Sequence, residues 1–265
     1  MKILLVLACV SSLLFSKVYY AKLEPYELRD ISANVSGLVT FIDEERLGKK
    51  LLDKPYLLID SELDAKELQS VEAKIGYLKN VLEANDKILR NLALSLEKKR
   101  ENYKRIEGLK IKSTLEKDRE FHDLVTSENQ YLSTQKEIEN LKVQISDLKL
   151  RASVLKRSIA DKTFIAEGFV LYSLEVRPGQ VVPMAANVAK IADTSKGKLV
   201  IYLDPEDIEG IETKRVYLDG VKTSYKVERL LKIADSKNIS KYRAEILVKA
   251  PELFSKLLKV ELRDE

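Results

Sequence analysis

Between Ser61 and Ile159 the chain contains no proline and only two glycines, Gly76 and Gly108. So long a run without punctuation favours one long helix or a pair of them. Positions 68, 71, 75, 78, 82, 85, 89, 92, 96, 99, 103 and 106 step by three and four without a break, and ten of these twelve are apolar or aromatic. The exceptions are Asn85 and Lys99, which read as register-setting breaks. The stepping is a seam of period 3.5, the pattern of helices that pack along their length. Ile138, Leu141, Ile145, Leu148, Ala152, Leu155 and Ile159 repeat it farther on. Between Leu115 and Gln135 the seam weakens, and Phe121, Leu124 and Leu132 are its expected members.

Gly108 falls near the midpoint. Glu107–Ser113 joins this residue, tolerant of left-handed backbone, to a Ser113–Thr114 pair able to cap a second helix. The region 61–160 therefore reads as a helical hairpin with its tip at 106–113. Each arm of about 45 residues reaches roughly 70 Å at 1.5 Å per residue. One unbroken helix is the alternative, and the midpoint glycine argues against it.

The flanks are of a different kind. Val18–Leu23, Gly37–Ile42 and Pro55–Ile59 are short and rich in β-branched or aromatic residues, as expected of strands between turns. After Thr163 the strand candidates are Phe169–Leu174, Val181–Val182, Lys198–Leu203, Val216–Leu218, Thr223–Leu231 and Tyr242–Val248. Lys259–Arg263 alternates apolar and charged residues and suits a final strand. Pro205–Ile211 has the look of a short helix capped by Asp204, and Pro251–Leu257 of another. The two flanks also resemble each other. Gly37-Leu38-Val39 lies eleven residues before Gly48-Lys49, and Gly168-Phe169-Val170 lies eleven before Gly179-Gln180. In each half the first glycine suits a tight turn and the second a hairpin turn.

The first sixteen residues stand apart. Lys2 precedes an almost wholly apolar Ile3–Phe15, and small Ser16 precedes a sharply more polar stretch. This is the layout of a secretory signal peptide, and the run is short for a spanning helix. An uncleaved anchor extended by Val18, Tyr19 and Tyr20 is one alternative, and a lipoprotein at Cys9 another. Removal of residues 1–16 takes away Cys9, the only cysteine, which suits an oxidising compartment.

The remaining signals are mostly exclusions. The net charge of +4 is slight for 265 residues, and no basic patch interleaved with aromatics calls for nucleic acid. His122 is the only histidine, expected on a helix surface with no second ligand spaced to it. Met184 is the only methionine after Met1, which disfavours Met-rich copper or silver sites. Lys98-Lys99-Arg100 reads as a solvated helix face. No nucleophile–base set and no phosphate-cradling glycine loop is present. The chain is not expected to be an enzyme or to hold a cofactor or metal.

Taken together the pattern resembles the membrane fusion proteins, periplasmic adaptors of the HlyD type. Ile31–Asp60 is similar to the first half of that family's biotinyl/lipoyl-like domain. Ile165–Asp193 is similar to the second half, with Val176-Arg177-Pro178-Gly179-Gln180-Val181-Val182 its most specific piece. The fold this implies is α+β. A split lipoyl-like β-sandwich (17–60 with the N-terminal strand, and 161–195) is interrupted by the coiled-coil hairpin and followed by a small β-barrel over 196–265. Carriers with similar halves present a modified lysine where this chain inserts its hairpin, so a swinging-arm role is disfavoured. Only about fourteen residues precede the first half-motif, so the family's membrane-proximal domain looks reduced or missing.

Family members that dock on an outer-membrane channel carry Arg, three residues, Leu, six residues, Ser at the tip, with acids following. Here Ile106 takes the Leu position and Ser113 the Ser position, with Glu116 and Asp118 as the acids. The Arg position falls on Asn102, with Arg105 close by. The resemblance thus implies partner-binding by Asn102, Arg105, Ile106, Gly108, Leu109 and Ser113. It further implies an inner-membrane transporter of the RND or ABC type, an outer-membrane channel of the TolC type, and a homo-oligomeric ring, commonly of six. The expected place is the periplasm, associated with the inner membrane. The alternative is an envelope coiled-coil scaffold with no transport role.

Overall fold

A computed structural model describes residues 17–234 and 240–264. The expected signal peptide and Cys9 lie outside the described residues. In chain order the elements are β1 (Val18–Ser32), β2 (Gly37–Ile42), β3 (Leu57–Ile59), α1 (Glu62–Glu107), α2 (Thr114–Asp161), β4 (Thr163–Phe164), β5 (Val170–Leu174) and β6 (Val181–Val182). They continue with β7 (Asn187–Leu203), β8 (Arg215–Leu218), β9 (Val221–Lys222), β10 (Val227–Ala234), β11 (Tyr242–Lys249) and β12 (Leu257–Arg263). The chain forms two compact units. One holds residues up to Ala33, Phe41–Leu57 and Ile165 onward, and the other Asn34–Thr40 with Leu58–Phe164.

The first unit is a sheet in the order β10-β11-β7-β1-β12-β8-β9, with β5 added alongside β7. Its core is built by strand alternation. Tyr19, Ala21 and Leu23 of β1 face Leu199, Ile201 and Leu203 of β7, Ala244 and Ile246 of β11, and Leu258 and Val260 of β12. Segment 41–57 joins this unit through residues near Phe169. The Gly48 amide donates to the Leu171 carbonyl at 2.8 Å, and the Leu51 amide to the Phe169 carbonyl at 2.7 Å. Leu51, Tyr56 and Leu171 are buried there.

The sheet corrects several expectations. The anticipated small barrel does not close: among the described residues β9 and β10 are the two ends of an open order. Only Val221–Lys222 pairs at one end, and the register at the other is broken between Val227/Arg229 and Leu230/Ala234, so neither edge offers a regular ladder. Pro205–Ile211 shortens to a 3-10 turn over Pro205–Asp207, with no side-chain cap from Asp204. Pro251–Leu257 is no helix; its bends lead straight into β12.

β1 and β7 are far longer than the sequence suggested, running 15 and 17 residues. The expected segments Val18–Leu23 and Lys198–Leu203 stopped short of Pro25 and Gly197, and these two face each other in the ladder. The register shifts between Pro25 and Glu27, a bulge that accommodates the missing proline donor. Gly197 is required by space: a Cβ there would lie 2.8 Å from both Leu23 Cδ1 and Val248 Cγ2.

The second unit is the hairpin. α1 and α2 hold 46 and 48 residues, about 70 Å of helix each. All twelve seam positions of α1 are buried or half-buried, joined in that helix only by Asp64 and Asp86. Ile75 and Leu96 of α1 and Ile138, Leu141, Ile145, Ala152 and Leu155 of α2 are its buried members. Lys99 enters the seam without losing its partners, since its ammonium donates to Ser127 Oγ at 2.6 Å across the hairpin. In α2 the weak stretch runs through Leu124, Ser127, Tyr131 and Thr134; Leu132 points to solvent and leaves the seam. Phe121 is largely exposed as well, although its ring lies 5.7 Å from that of Tyr103. His122 is exposed, as read.

The hairpin's base is clamped by polar contacts. Asp64 accepts from Ser158 Oγ at 2.7 Å and pairs with Lys162 at 2.9 Å, which together hold its carboxyl below the usual range. Short strands continue from it. The Asp60 amide donates to the Leu38 carbonyl, and the Ile59 amide to the Lys162 carbonyl.

The glycines separate by role. Gly48 and Gly179 both have positive φ, at 75° and 84°, with open space around them, as turn positions demand. Gly37 and Gly168 are not equivalent. Gly168 has φ 88°, whereas at Gly37 a Cβ would lie 2.5 Å from Ile59 Cγ2, so closeness rather than a turn selects glycine there.

Candidate functional site at the hairpin tip

The tip is the loop Gly108–Ser113 with the helix ends on either side. α1 ends without left-handed backbone, since Gly108 has φ −76°. The glycine expected for a reversed turn is therefore helical, and the reversal is made by Leu109–Lys112. Lys117 reaches back across the loop and donates to the Glu107 carbonyl at 2.9 Å, satisfying an end group that the turn leaves open.

α2 begins with a full capping box. Ser113 Oγ accepts from the Glu116 amide at 3.3 Å, and the Glu116 carboxylate accepts from the Ser113 amide at 3.0 Å. The Ser113 backbone bond comes first among the causes that hold the Glu116 carboxyl below its ordinary range, with Lys112 and the Ser113 hydroxyl adding to it. Ser113 is thus occupied in starting a helix, and it remains exposed.

The other sequence-derived residues fall together on this end. Arg105 donates to the Asn102 side-chain oxygen one turn away, so those two form a pair on the exposed face of α1. Ile106 is half-buried at the last seam position, and Leu109 is 45% exposed. Two residues escaped the sequence reading. Ile111 is 92% exposed and Leu115 79%, the most exposed large apolar side chains of the tip. The available signal was the alternation Leu109-Lys110-Ile111-Lys112 in a stretch with no strand to pair with and no core to face. The tip is therefore an apolar cap of Leu109, Ile111 and Leu115 collared by Lys110, Lys112 and Lys117, held in shape by backbone capping.

Farther back, a shallow groove between the arms is lined by Leu96, Arg100, Lys104, Glu128, Tyr131 and Leu132. Arg100 and Glu128 bridge it as an ion pair. Among the described residues no three His, Cys, Asp or Glu side chains gather in a way that could hold a metal. Among them, too, no helix is long and apolar enough to cross a membrane.

No family model matches the sequence, and no curated protein matches it either. Solved structures do. MacA from Actinobacillus actinomycetemcomitans superimposes with a TM-score of 0.70 at 17% identity, over 94% of this chain and 78% of that one. The membrane fusion protein Spr0693 from Streptococcus pneumoniae R6 gives 0.56 at 10%, over 94% of this chain and 100% of the other. A MacA–MexA chimera carrying the Pseudomonas aeruginosa MexA α-hairpin domain gives 0.55 at 17%, over 94% and 82%. The chain has the fold of these membrane fusion proteins.

Proposed function

We propose that this chain is a periplasmic adaptor of a tripartite efflux or secretion system, bridging an inner-membrane transporter and an outer-membrane channel without catalysis. The observation that carries the reading is the hairpin tip. An apolar cap of Leu109, Ile111 and Leu115, exposed at the end of a roughly 70 Å lever, has no core to serve and is stabilised once a partner covers it. The capping box and the Lys117 contact give that cap a fixed shape, which lowers the ordering cost of binding.

In this reading the tip residues Asn102, Arg105, Ile106, Gly108, Leu109 and Ser113 meet a channel of the TolC type, joined by Ile111 and Leu115. Ser113 contributes through the shape it imposes on the turn. The segments 17–60 and 161–195 are the two halves of a lipoyl-like domain, and 196–265 is the module beside a transporter of the RND or ABC type. Several copies form a ring, and residues 1–16 direct export. The fold shared with membrane fusion proteins supports the architecture, and the tip supports the docking.

The test is Ile111→Asp combined with Leu115→Asp. Both side chains are exposed, so the thermal melt should stay within about 0.5 kcal/mol of the parent. Site-specific crosslinking to the outer-membrane channel, and the transport that depends on it, should fall at least tenfold. A double variant that folds, crosslinks and transports like the parent overturns the docking role.

A further inference from the structure

One face of the first unit has no part in its core. Alternation along β1, β12 and β8 sends Tyr19, Ala21, Leu258, Val260 and Val216 inward. The opposite face then carries Val18, Tyr20 and Leu257, with Tyr20 68% and Leu257 62% exposed. Its polar members are mostly cations. Lys22 stands across from Leu257 and Lys259 across from Tyr20, while Lys222 stands across from Tyr217. Arg263 stands across from Arg215 in the register, with its guanidinium bonded to Glu261 and laid over the Tyr217 ring at 4.4 Å.

Beside these cations lies Glu261, 4% exposed beneath Lys259 at 2.8 Å and Arg263. Hydrogen bonds from those two keep its carboxyl below the ordinary range. Among the described residues, and leaving Arg215 aside, Lys22, Lys222, Lys259 and Arg263 stand on the face that carries Glu261. The excess is local: one step past Lys22 on the same face of β1, Glu24 already faces Lys198.

We propose that this face rests on a membrane surface of anionic phospholipids. Charge complementarity is one argument, since lysines and arginines held near such a surface each add to the attraction. The amphipathic side chains are a second, because tyrosine favours the level of the head groups and isolated aliphatics insert just below it. The chain's own course is the third. The apolar run Ile3–Phe15 ends two residues before Lys17, and β1 opens at Val18 on this very face. A newly made chain with that run in a bilayer delivers Val18 and Tyr20 to the interface within about 20 Å.

The experiment is vesicle flotation of the full chain and of a Lys22→Gln/Lys222→Gln variant. Both lysines are exposed and neither belongs to the Glu261 cluster, so folding should be unchanged. Vesicles of phosphatidylcholine alone are compared with vesicles containing about one part in three phosphatidylglycerol. The parent should prefer the anionic vesicles at least tenfold, and the preference should shrink in high salt. At about fivefold per basic residue, the variant should lose roughly twenty-fold on the anionic vesicles. The apolar run, kept or removed, is common to parent and variant.

Equal binding to both vesicle types would mean apolar insertion alone and would overturn the proposal. So would an unaffected variant, retention that needs envelope protein, or self-association of this face in place of lipid binding. No tip residue takes part, so failure here leaves the adaptor reading standing, and failure at the tip leaves this face standing.

Discussion

The hairpin and the sheet unit hold together in different ways. In the hairpin, seven buried side chains serve 94 helical residues. Most of what stabilises it is repeated and local: backbone ladders, a thin seam, end caps and ion pairs such as Arg151–Glu67 and Lys156–Glu72 between the arms. The sheet unit joins segments far apart in sequence around one core, with Leu199, Leu203, Ala244, Ile246, Val216 and Val260 fully excluded from solvent. A defect in the first is shared along a rod, whereas a defect in the second is felt by every strand.

That contrast can be broken by experiment. The largest effect is expected in the sheet core. Ile201→Ala should cost about 3–4 kcal/mol, because its neighbours come from several strands and cannot collapse on the void. Leu96→Ala in the hairpin should cost nearer 2 kcal/mol, since solvent lies close to a two-helix seam. Chemical denaturation of both variants decides the ordering, and equal costs would mean the seam is as confining as the sheet core.

A smaller effect is expected at the tip. Ser113→Ala removes the hydroxyl of the capping box and should cost about 1 kcal/mol. Hydrogen exchange should show the loss in the first turns of α2 and leave β7 and β11 protected. A loss spread evenly over both units would contradict the local character of hairpin stability.

The smallest concerns acid. At the start of β1, Lys17 pairs with Asp207 at 2.9 Å and also with Asp204, while the Tyr19 hydroxyl donates to Asp207. The hydrogen bond from Lys17 holds the Asp204 carboxyl below its ordinary value. At Asp207 burial pushes upward, but the bonds from Lys17 and Tyr19 outweigh it and the net direction is down. Carboxyls depressed by folding contribute stability that is present above their unfolded value near pH 4. That stability is lost as pH falls through the lower folded values. The melt of the parent should therefore decline below about pH 4 more than that of Lys17→Ala. A variant with the same acid profile as the parent would show that the cluster is solvated and stabilises nothing.

How far the sequence could be read follows from the same contrast. The α1 seam was legible residue by residue, since a helical period is a local property, and all twelve positions from Leu68 to Ile106 are covered, polar Asn85 and Lys99 included. Leu132 misled because composition favours leucine, whereas the spacing from Leu124 to Ile138 runs through Ser127, Tyr131 and Thr134. Strands β2, β6 and β11 were close to their true bounds, but β1 and β7 were read only over Val18–Leu23 and Lys198–Leu203, short of Pro25 and Gly197. Each reads as a breaker alone, and only their meeting across a bulge explains both. At the tip, capping by Ser113 was written in its spacing to Glu116. Ile111 and Leu115 were not found, because what distinguishes them is the absence of anything to pack against, and a sequence does not display that.

The course of β1 has a consequence for when the sheet can be finished. Its first five residues, Val18–Lys22, pair with Leu257–Glu261, and the rest pair with β7. A partly made chain that has reached residue 250 already holds the whole hairpin, most of whose contacts are short-range and quick to form. At that moment one side of β1 still has no partner from Val18 to Lys22, and its future neighbour lies some 240 residues away along the chain. Closing so long a loop is slow, although its added entropy grows only logarithmically with length. The rod is thus assembled early and waits, while the sheet that surrounds the chain's beginning is sealed by its end.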